Sequence, residues 1–258
     1  MKISGNTFIV TGGASGLGES TIRKIVGQGA NAVIIDLNEE GAKKLSEEFG
    51  EDRVLATGSV NVTDEAQVEK ALALAVEHFG TLAGAIICHG VAGAMPSIPG
   101  FGPNNALTSF QQMKFVSDIN YLAVFSVAQK VVEIVMKQEP LNEEGERGII
   151  VLVSSVAGLD GSTSAYGPSK AAVAGLVLPL AREWAPFGIR VAGIAPGYFV
   201  TPMTTNLPEE YQSMLIPNVF PKRLGLPTEF ANTVSYVLEN VMVNGSILRL
   251  DAGVRLTY

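Results

Sequence analysis

Thr11-Gly12-Gly13-Ala14-Ser15-Gly16-Leu17-Gly18 is the stretch on which the fold of this 258-residue chain turns. The apolar run Thr7 to Thr11 precedes it and an amphipathic stretch follows, so the glycines stand at a strand-to-helix turn. There the backbone can approach a pyrophosphate, whose charge is favoured by the helix N-terminus. A tight turn that needs the glycines for packing alone is the competing reading. Roughly 20 residues further on, where a dinucleotide site carries its ribose-binding acid, Asp36 closes a second run, Asn31 to Asp36. A carboxylate at that place accepts both ribose hydroxyls of an adenosine and repels a 2′-phosphate, which favours NAD(H) over NADP(H). The alternative is an acidic N-cap for a helix beginning near Asn38.

Further runs repeat the pattern. Arg53 to Thr57, Gly84 to Cys88, Gly148 to Val153, Ile189 to Ile194 and Ser246 to Leu250 read as buried strands. With the first two they predict a seven-stranded parallel sheet in a single doubly wound α/β domain over residues 1–258, with helices on both faces. In Thr63 to Phe79, Val68, Leu72 and Val76 recur at helical spacing, with Thr63 as expected N-cap and Asp64 and Glu65 in the first turn. Two stretches break the rhythm, Val91 to Thr108 and Tyr198 to Gly225. Both are expected to be loops over a ligand.

Composition narrows the function. A net charge of −7 with scattered Lys and Arg leaves no footprint for nucleic acid. One cysteine, Cys88, and two histidines, His78 and His89, cannot assemble a metal site, so no metal is expected. The most apolar stretch, Ala171 to Ala181, has about half the ~20 residues of a membrane span. No presequence is visible ahead of the first strand, and the expected location is the cytoplasm, with the mitochondrion as the alternative. Gly accounts for 28 residues, well above the usual share, so many backbone positions need close approach or positive φ.

The chemistry is carried by Tyr166 and Lys170, spaced i and i+4, which share one face if a helix starts there. An ammonium beside a phenol favours the phenolate and brings its pKa toward the working range, which suits taking a proton from an alcohol as hydride leaves. Ser155 ends a strand at the carboxyl edge of the sheet and can hold the reacting oxygen, or it can simply end the strand or cap a helix. Asn120 is the one polar member of the stripe Val116, Asn120, Ala123, Val127, Val131, and a satisfied core amide is the alternative.

Together these residues resemble the short-chain dehydrogenase/reductase family from about Lys2 to Tyr258. Thr11-Gly12-x-x-x-Gly16-x-Gly18 is similar to its cofactor loop, and Tyr166-x-x-x-Lys170 to its catalytic pair. The resemblance implies a Rossmann-type fold and an NAD-dependent oxidoreductase interconverting a secondary alcohol and a ketone. It makes Tyr166 the general acid/base, Lys170 the holder of the nicotinamide ribose, Ser155 the residue that positions the reacting oxygen, and Asn120 the anchor of a relay water. Ser15, Leu17, Leu37, Asn61, Val62 and Gly90 join the expected cofactor contacts, as do Pro196, Gly197 and Thr201, the last reaching the nicotinamide carboxamide.

Four stretches are similar to members acting on 3-hydroxyacyl-CoA and hydroxysteroids: Leu178 to Val191, Ile194 to Pro202, Arg223 to Ala231 and Asn244 to Gly253. They imply a small apolar substrate and a homotetramer, with Ala171, Ala172, Ala174 and Gly175 small enough for close packing between subunits or within one. The chain also departs from the family. Where the family reads Asn-Asn-Ala-Gly or Asn-Cys-Ala-Gly, this chain has Ile87-Cys88-His89-Gly90, and His89 is expected to be exposed or in a supporting place, with contact to the substrate as the alternative. The interval from Ser155 to Tyr166 is short, which makes Ser154 a candidate substitute. Lys222 and Arg223 alone stand near the second loop to meet a CoA phosphate. The competing functions are a biosynthetic dehydrogenase on the same site and an NAD-binding scaffold without turnover.

Overall fold

The computed structural model describes residues 1–93, 107–206, 216 and 219–256. Seven parallel strands form one sheet in the order β3-β2-β1-β4-β5-β6-β7. They are β1 (Thr7–Thr11), β2 (Asn31–Asp36), β3 (Val54–Ser59), β4 (Gly84–Ile87), β5 (Gly148–Val153), β6 (Ile189–Pro196) and β7 (Ile247–Leu250). Three of the expected strands keep their bounds, and the other four shift at their ends by one or two residues. The shift at β6 has a cause: Ala195 and Pro196 pair with Arg249 and Leu250, which carries the strand into the loop.

Side chains alternate across the pleat, so consecutive residues serve opposite cores. Ile9, Val33, Ile35, Ile87 and Leu152 face α3 (Glu65–Phe79), α5 (Ala123–Val135) and α7 (Tyr166–Trp184). Phe8, Val10, Ile34, Ile86 and Val151 face α1 (Gly16–Gly27), α2 (Glu39–Phe49) and α9 (Pro227–Glu239). Both faces are buried under helices, which is why the strands read as continuous apolar runs. The remaining helices are α4 (Phe110–Ser117), joined through a π-helical turn at Asp118–Leu122 to α5, and the short α6 (Val156–Asp160) and α8 (Pro202–Thr205).

The N-cap of α3 is Asp64, not the expected Thr63. Its carboxylate accepts from the N–H groups of Ala66 and Gln67 at 3.1 and 3.2 Å, and an acid also answers the helix dipole. Of the two expected loops, residues 94–106, 207–215 and 217–218 lie outside the described residues.

The strand order reverses direction between β1 and β4, which open a crevice at the carboxyl edge of the sheet, the place where ligands sit in open α/β sheets. Loops after β1, β2, β4, β5 and β6 all reach it.

Candidate active site

A cavity of about 420 Å³ occupies this crevice. Gly12, Ser15, Gly16, Leu17, Gly18, Asp36, Leu37, Asn61 and Val62 line it, as do Gly90, Ser155, Tyr166, Lys170, Pro196, Gly197 and Thr201. Every expected cofactor contact and three of the four expected catalytic residues therefore share one cavity. Asn120 stands behind its wall.

The glycine loop is built by contact as much as by conformation. Gly12 has φ +63°, and a Cβ there would come within 2.9 Å of the His89 backbone nitrogen. A Cβ on Gly18 would fall 2.1 Å from the Gly12 carbonyl oxygen, a collision with rigid backbone. The glycines thus hold the first turn of α1 against the loop, as the packing reading of the motif requires, and leave its N-terminus facing the cavity.

At the adenosine end, Asp36 accepts from the Ala14 N–H at 3.0 Å and the Asn38 N–H at 2.9 Å. These bonds fix the carboxylate beside the glycine loop, while the capping of α2 falls to Asn38, which accepts from Gly41 N–H at 3.0 Å. Among the described residues lining the cavity, Lys170 is the sole cation, and nothing basic stands beside Asp36 to welcome a further phosphate. The loop, the acid and the size of the cleft fit a dinucleotide.

At the other end, Tyr166 opens α7 and Lys170 follows one turn later. The ammonium nitrogen lies 6.0 Å from the centre of the Tyr166 ring and donates to the Val153 carbonyl at 2.9 Å. Burial holds the Lys170 pKa down at about 8, with Cys88 opposing weakly. The expected lowering of the Tyr166 pKa is absent. Burial raises it above its ordinary value, partly offset by a hydrogen bond with the Ser155 hydroxyl, and Tyr198 adds to the rise. The physical reason is distance: the ammonium bonds to backbone rather than to the phenol, so desolvation dominates.

Of its expected places, Ser155 takes that of a helix cap, and it also stands beside Tyr166. Its Oγ accepts from the Ala157 N–H at 3.2 Å, capping α6, and also meets the Tyr166 phenol. Ser154 does not replace it, since its hydroxyl donates at 2.7 Å to the Lys170 carbonyl in the backbone of α7.

Asn120 sits fully buried on the π turn. Its Oδ1 accepts from Val91 N–H at 2.8 Å, and its Nδ2 donates to the Val91 carbonyl at 2.9 Å and Ser169 Oγ at 3.1 Å. That is the satisfied amide of the alternative reading, placed where it joins the segment after β4 to α7.

His89 is buried and lines the cavity, which excludes the exposed place of the two expected for it and leaves the supporting one. Gly197 borders the cavity too, but a Cβ there would meet the Asp251 Cα at 2.9 Å, so packing against the loop after β7 already demands glycine. Phe199 and Met203, which also line the cavity, belong to the second expected loop, whereas Val153 was not singled out. Its signal was at most its place at a strand end, which many apolar residues share.

A sequence profile for short chain dehydrogenase matches residues 6–212. The 3-hydroxyacyl-CoA dehydrogenase type-2 of Homo sapiens is 40% identical over 259 residues, covering 99% of this chain and 97% of that protein. The crystal structure of 3-hydroxyacyl-CoA dehydrogenase type-2 from Mycobacterium avium aligns with a TM-score of 0.90 at 37% identity, covering 98% of this chain and 97% of that one. A 3-ketoacyl-(acyl-carrier-protein) reductase from Brucella melitensis, solved with NADH, aligns with a TM-score of 0.83 at 25% identity, covering 97% and 98%.

Proposed function

The chain belongs to the short-chain dehydrogenase family and is a nicotinamide-dependent oxidoreductase acting on CH–OH groups, and from this premise we propose that NAD(H) is its cofactor and an apolar secondary alcohol and its ketone are its substrates. The observation that carries this reading is the single cavity joining the glycine loop and Asp36 at one end to Ser155, Tyr166 and Lys170 at the other. The carboxylate of Asp36, with no cation beside it, selects NAD(H) over NADP(H).

A nicotinamide held there supplies the hydride acceptor or donor. The protein's own part is positioning and proton transfer. Ser155 Oγ holds the reacting oxygen, and the Tyr166 oxygen takes its proton in oxidation and returns it in reduction. Lys170 holds the ribose and brings positive charge to the site. Both Nδ2 hydrogens of Asn120 are committed to Val91 and Ser169, so any relay water it serves is met by an oxygen acceptor rather than by its amide N–H.

The relatives acting on 3-hydroxyacyl-CoA make that class the leading substrate, and Val153, Phe199 and Met203 supply apolar lining. Of the two basic residues near the second loop, Arg223 is paired with Glu229 at 2.7 Å, so hydroxysteroids and hydroxyacyl compounds without CoA belong in the same panel. We place the protein in the cytoplasm as a homotetramer. Ala171 and Gly175 lie exposed on α7, and Phe110, Phe115 and Leu122 are exposed along α4 and the π turn, which supports subunit packing there.

The test is a panel of 3-hydroxyacyl-CoA esters, hydroxysteroids and small secondary alcohols with NAD⁺ or NADP⁺, read by reduced-cofactor absorbance. Turnover with NAD⁺ and an apolar alcohol is the expected result. Tight NAD binding without turnover on any member would favour the scaffold reading.

A further inference from the structure

We infer that His89 is a positioning residue, a buried strut that ties the cofactor loop after β1 to the π turn carrying Asn120. This rests on the proposal that the cavity holds a nicotinamide dinucleotide.

The geometry is specific. His89 Nε2 lies 3.2 Å from the carbonyl oxygen of Ile119, and Nδ1 lies 2.7 Å from the hydroxyl of Thr11. A carbonyl can only accept, so the ring proton is on Nε2, Nδ1 is the acceptor, and the Thr11 hydroxyl donates to it. The Thr11 oxygen in turn faces the His89 backbone N–H at 3.5 Å. Both ring nitrogens are thereby occupied, which leaves the imidazole no free site for proton transfer to a substrate. Burial, with Lys170 adding to it, pushes the imidazole pKa down to about 3, so the neutral ring persists across the working range.

The two anchors are the parts whose separation matters. Thr11 is the last residue of β1 and precedes Gly12, whose Cα packs so near the His89 backbone that a Cβ would come within 2.9 Å of its main-chain nitrogen. Ile119 lines the cavity and is followed by Asn120, which grips both backbone groups of Val91. A Cβ on the intervening Gly90 would lie 3.2 Å from both Asn120 Oδ1 and Lys170 Nζ. Residues 89–91 are therefore the bridge between the pyrophosphate loop and the proton-handling groups, and the imidazole gives that bridge a hydrogen bond to each bank. Alanine, the residue of the family pattern at this place, has no side-chain group to offer either bank.

The test measures NADH binding by fluorescence titration, kcat and KM for NAD⁺, and thermal midpoint, for the unaltered protein and for His89→Ala, His89→Gln, Thr11→Val and the double variant Thr11→Val/His89→Ala. The proposal expects His89→Ala to weaken NADH binding by about tenfold, the scale of one or two lost hydrogen bonds, and to lower kcat as well. Gln can donate from its amide nitrogen to Ile119, and it should recover much of the loss. Thr11→Val and His89→Ala should be non-additive in binding, because each removes the same bond. Should His89→Ala fail to fold, the Gln and Val variants carry the comparison: support is a larger binding loss for Thr11→Val in the His protein than in His89→Gln. Additive losses, or NADH binding and kcat within twofold of the unaltered protein in every folded variant, would overturn the strut. Failure of the unaltered protein itself to bind NADH would overturn the cofactor reading instead.

Discussion

Lys170 turns its ammonium to the Val153 carbonyl, at 2.9 Å, rather than to the phenol of Tyr166, whose ring centre lies 6.0 Å away. The phenol is consequently raised above its ordinary pKa by burial and is protonated at neutral pH in the free protein. Alcohol oxidation needs the deprotonated form and ketone reduction the protonated one. Oxidation, as kcat/KM for NAD⁺ with saturating alcohol, is expected to climb from neutral into alkaline pH, while reduction holds its rate at neutral pH. The matched pH–rate profiles check this.

The buried ammonium has a stability consequence of its own. Its folded pKa, about 8, is below the unfolded value of 10.5, so between those two the unfolded chain binds more protons and stability rises with pH. The penalty for burying the charge is present in full below pH 8. Lys170→Met should therefore flatten the contribution of this group in the thermal midpoint measured from pH 8 to 10, while abolishing most turnover.

Asp36 is expected to control cofactor choice. Asp36→Ser removes the ribose acceptor and the repulsion of a 2′-phosphate together, so NADH should bind about tenfold more weakly while NADPH loses little or gains. Parallel fluorescence titrations with the two cofactors read the ratio.

Arg249 holds Asp160, at the end of α6, through two hydrogen bonds of 2.6 and 2.8 Å, and it also meets Asp251 and the Val254 carbonyl. The guanidinium keeps the Asp160 pKa at about 2, below its ordinary 3.8. A depressed carboxylate contributes stability above its unfolded pKa and loses it as pH falls through the folded one. Arg249→Met should lower the thermal midpoint at pH 6 and shrink the additional loss between pH 4 and 2, as a pH series of melting curves would show.

Gly18 and Gly27 separate close approach from flexibility. A Cβ on Gly18 would collide with the Gly12 oxygen, whereas one on Gly27 meets nothing within 4 Å. Gly18→Ala should weaken NADH binding and destabilise the protein by about 1–3 kcal/mol, and Gly27→Ala should leave binding unchanged and alter stability by no more than ~1 kcal/mol, to the stabilising side. Denaturant melts and NADH titration distinguish them.

The strands and the cofactor end were legible because their rules are local. A doubly buried strand is a continuous apolar run, and the glycine loop and Asp36 stand at fixed spacing from β1. Tyr166 and Lys170 were legible for the same reason, being one helical turn apart. His89 was not, because its burial depends on Thr11 and Ile119, 78 and 30 residues away, and no spacing rule brings the three together. The direction of the Tyr166 shift was missed on similar grounds: the i, i+4 rule gives a shared helix face, but which acceptor the Lys170 ammonium chooses depends on the end of β5. The choice between Ser154 and Ser155 likewise rests on α7, whose backbone claims Ser154.

The most direct test of the account is Tyr166→Phe, which removes one oxygen and leaves the ring that packs the site. Thermal midpoint and NADH affinity should stay close to those of the unaltered protein, while kcat for oxidation of the preferred secondary alcohol falls by about a thousandfold or more, the scale of losing general acid/base catalysis. Turnover retained within a few fold in that variant, with NADH bound, would contradict Tyr166 as the group that moves the proton.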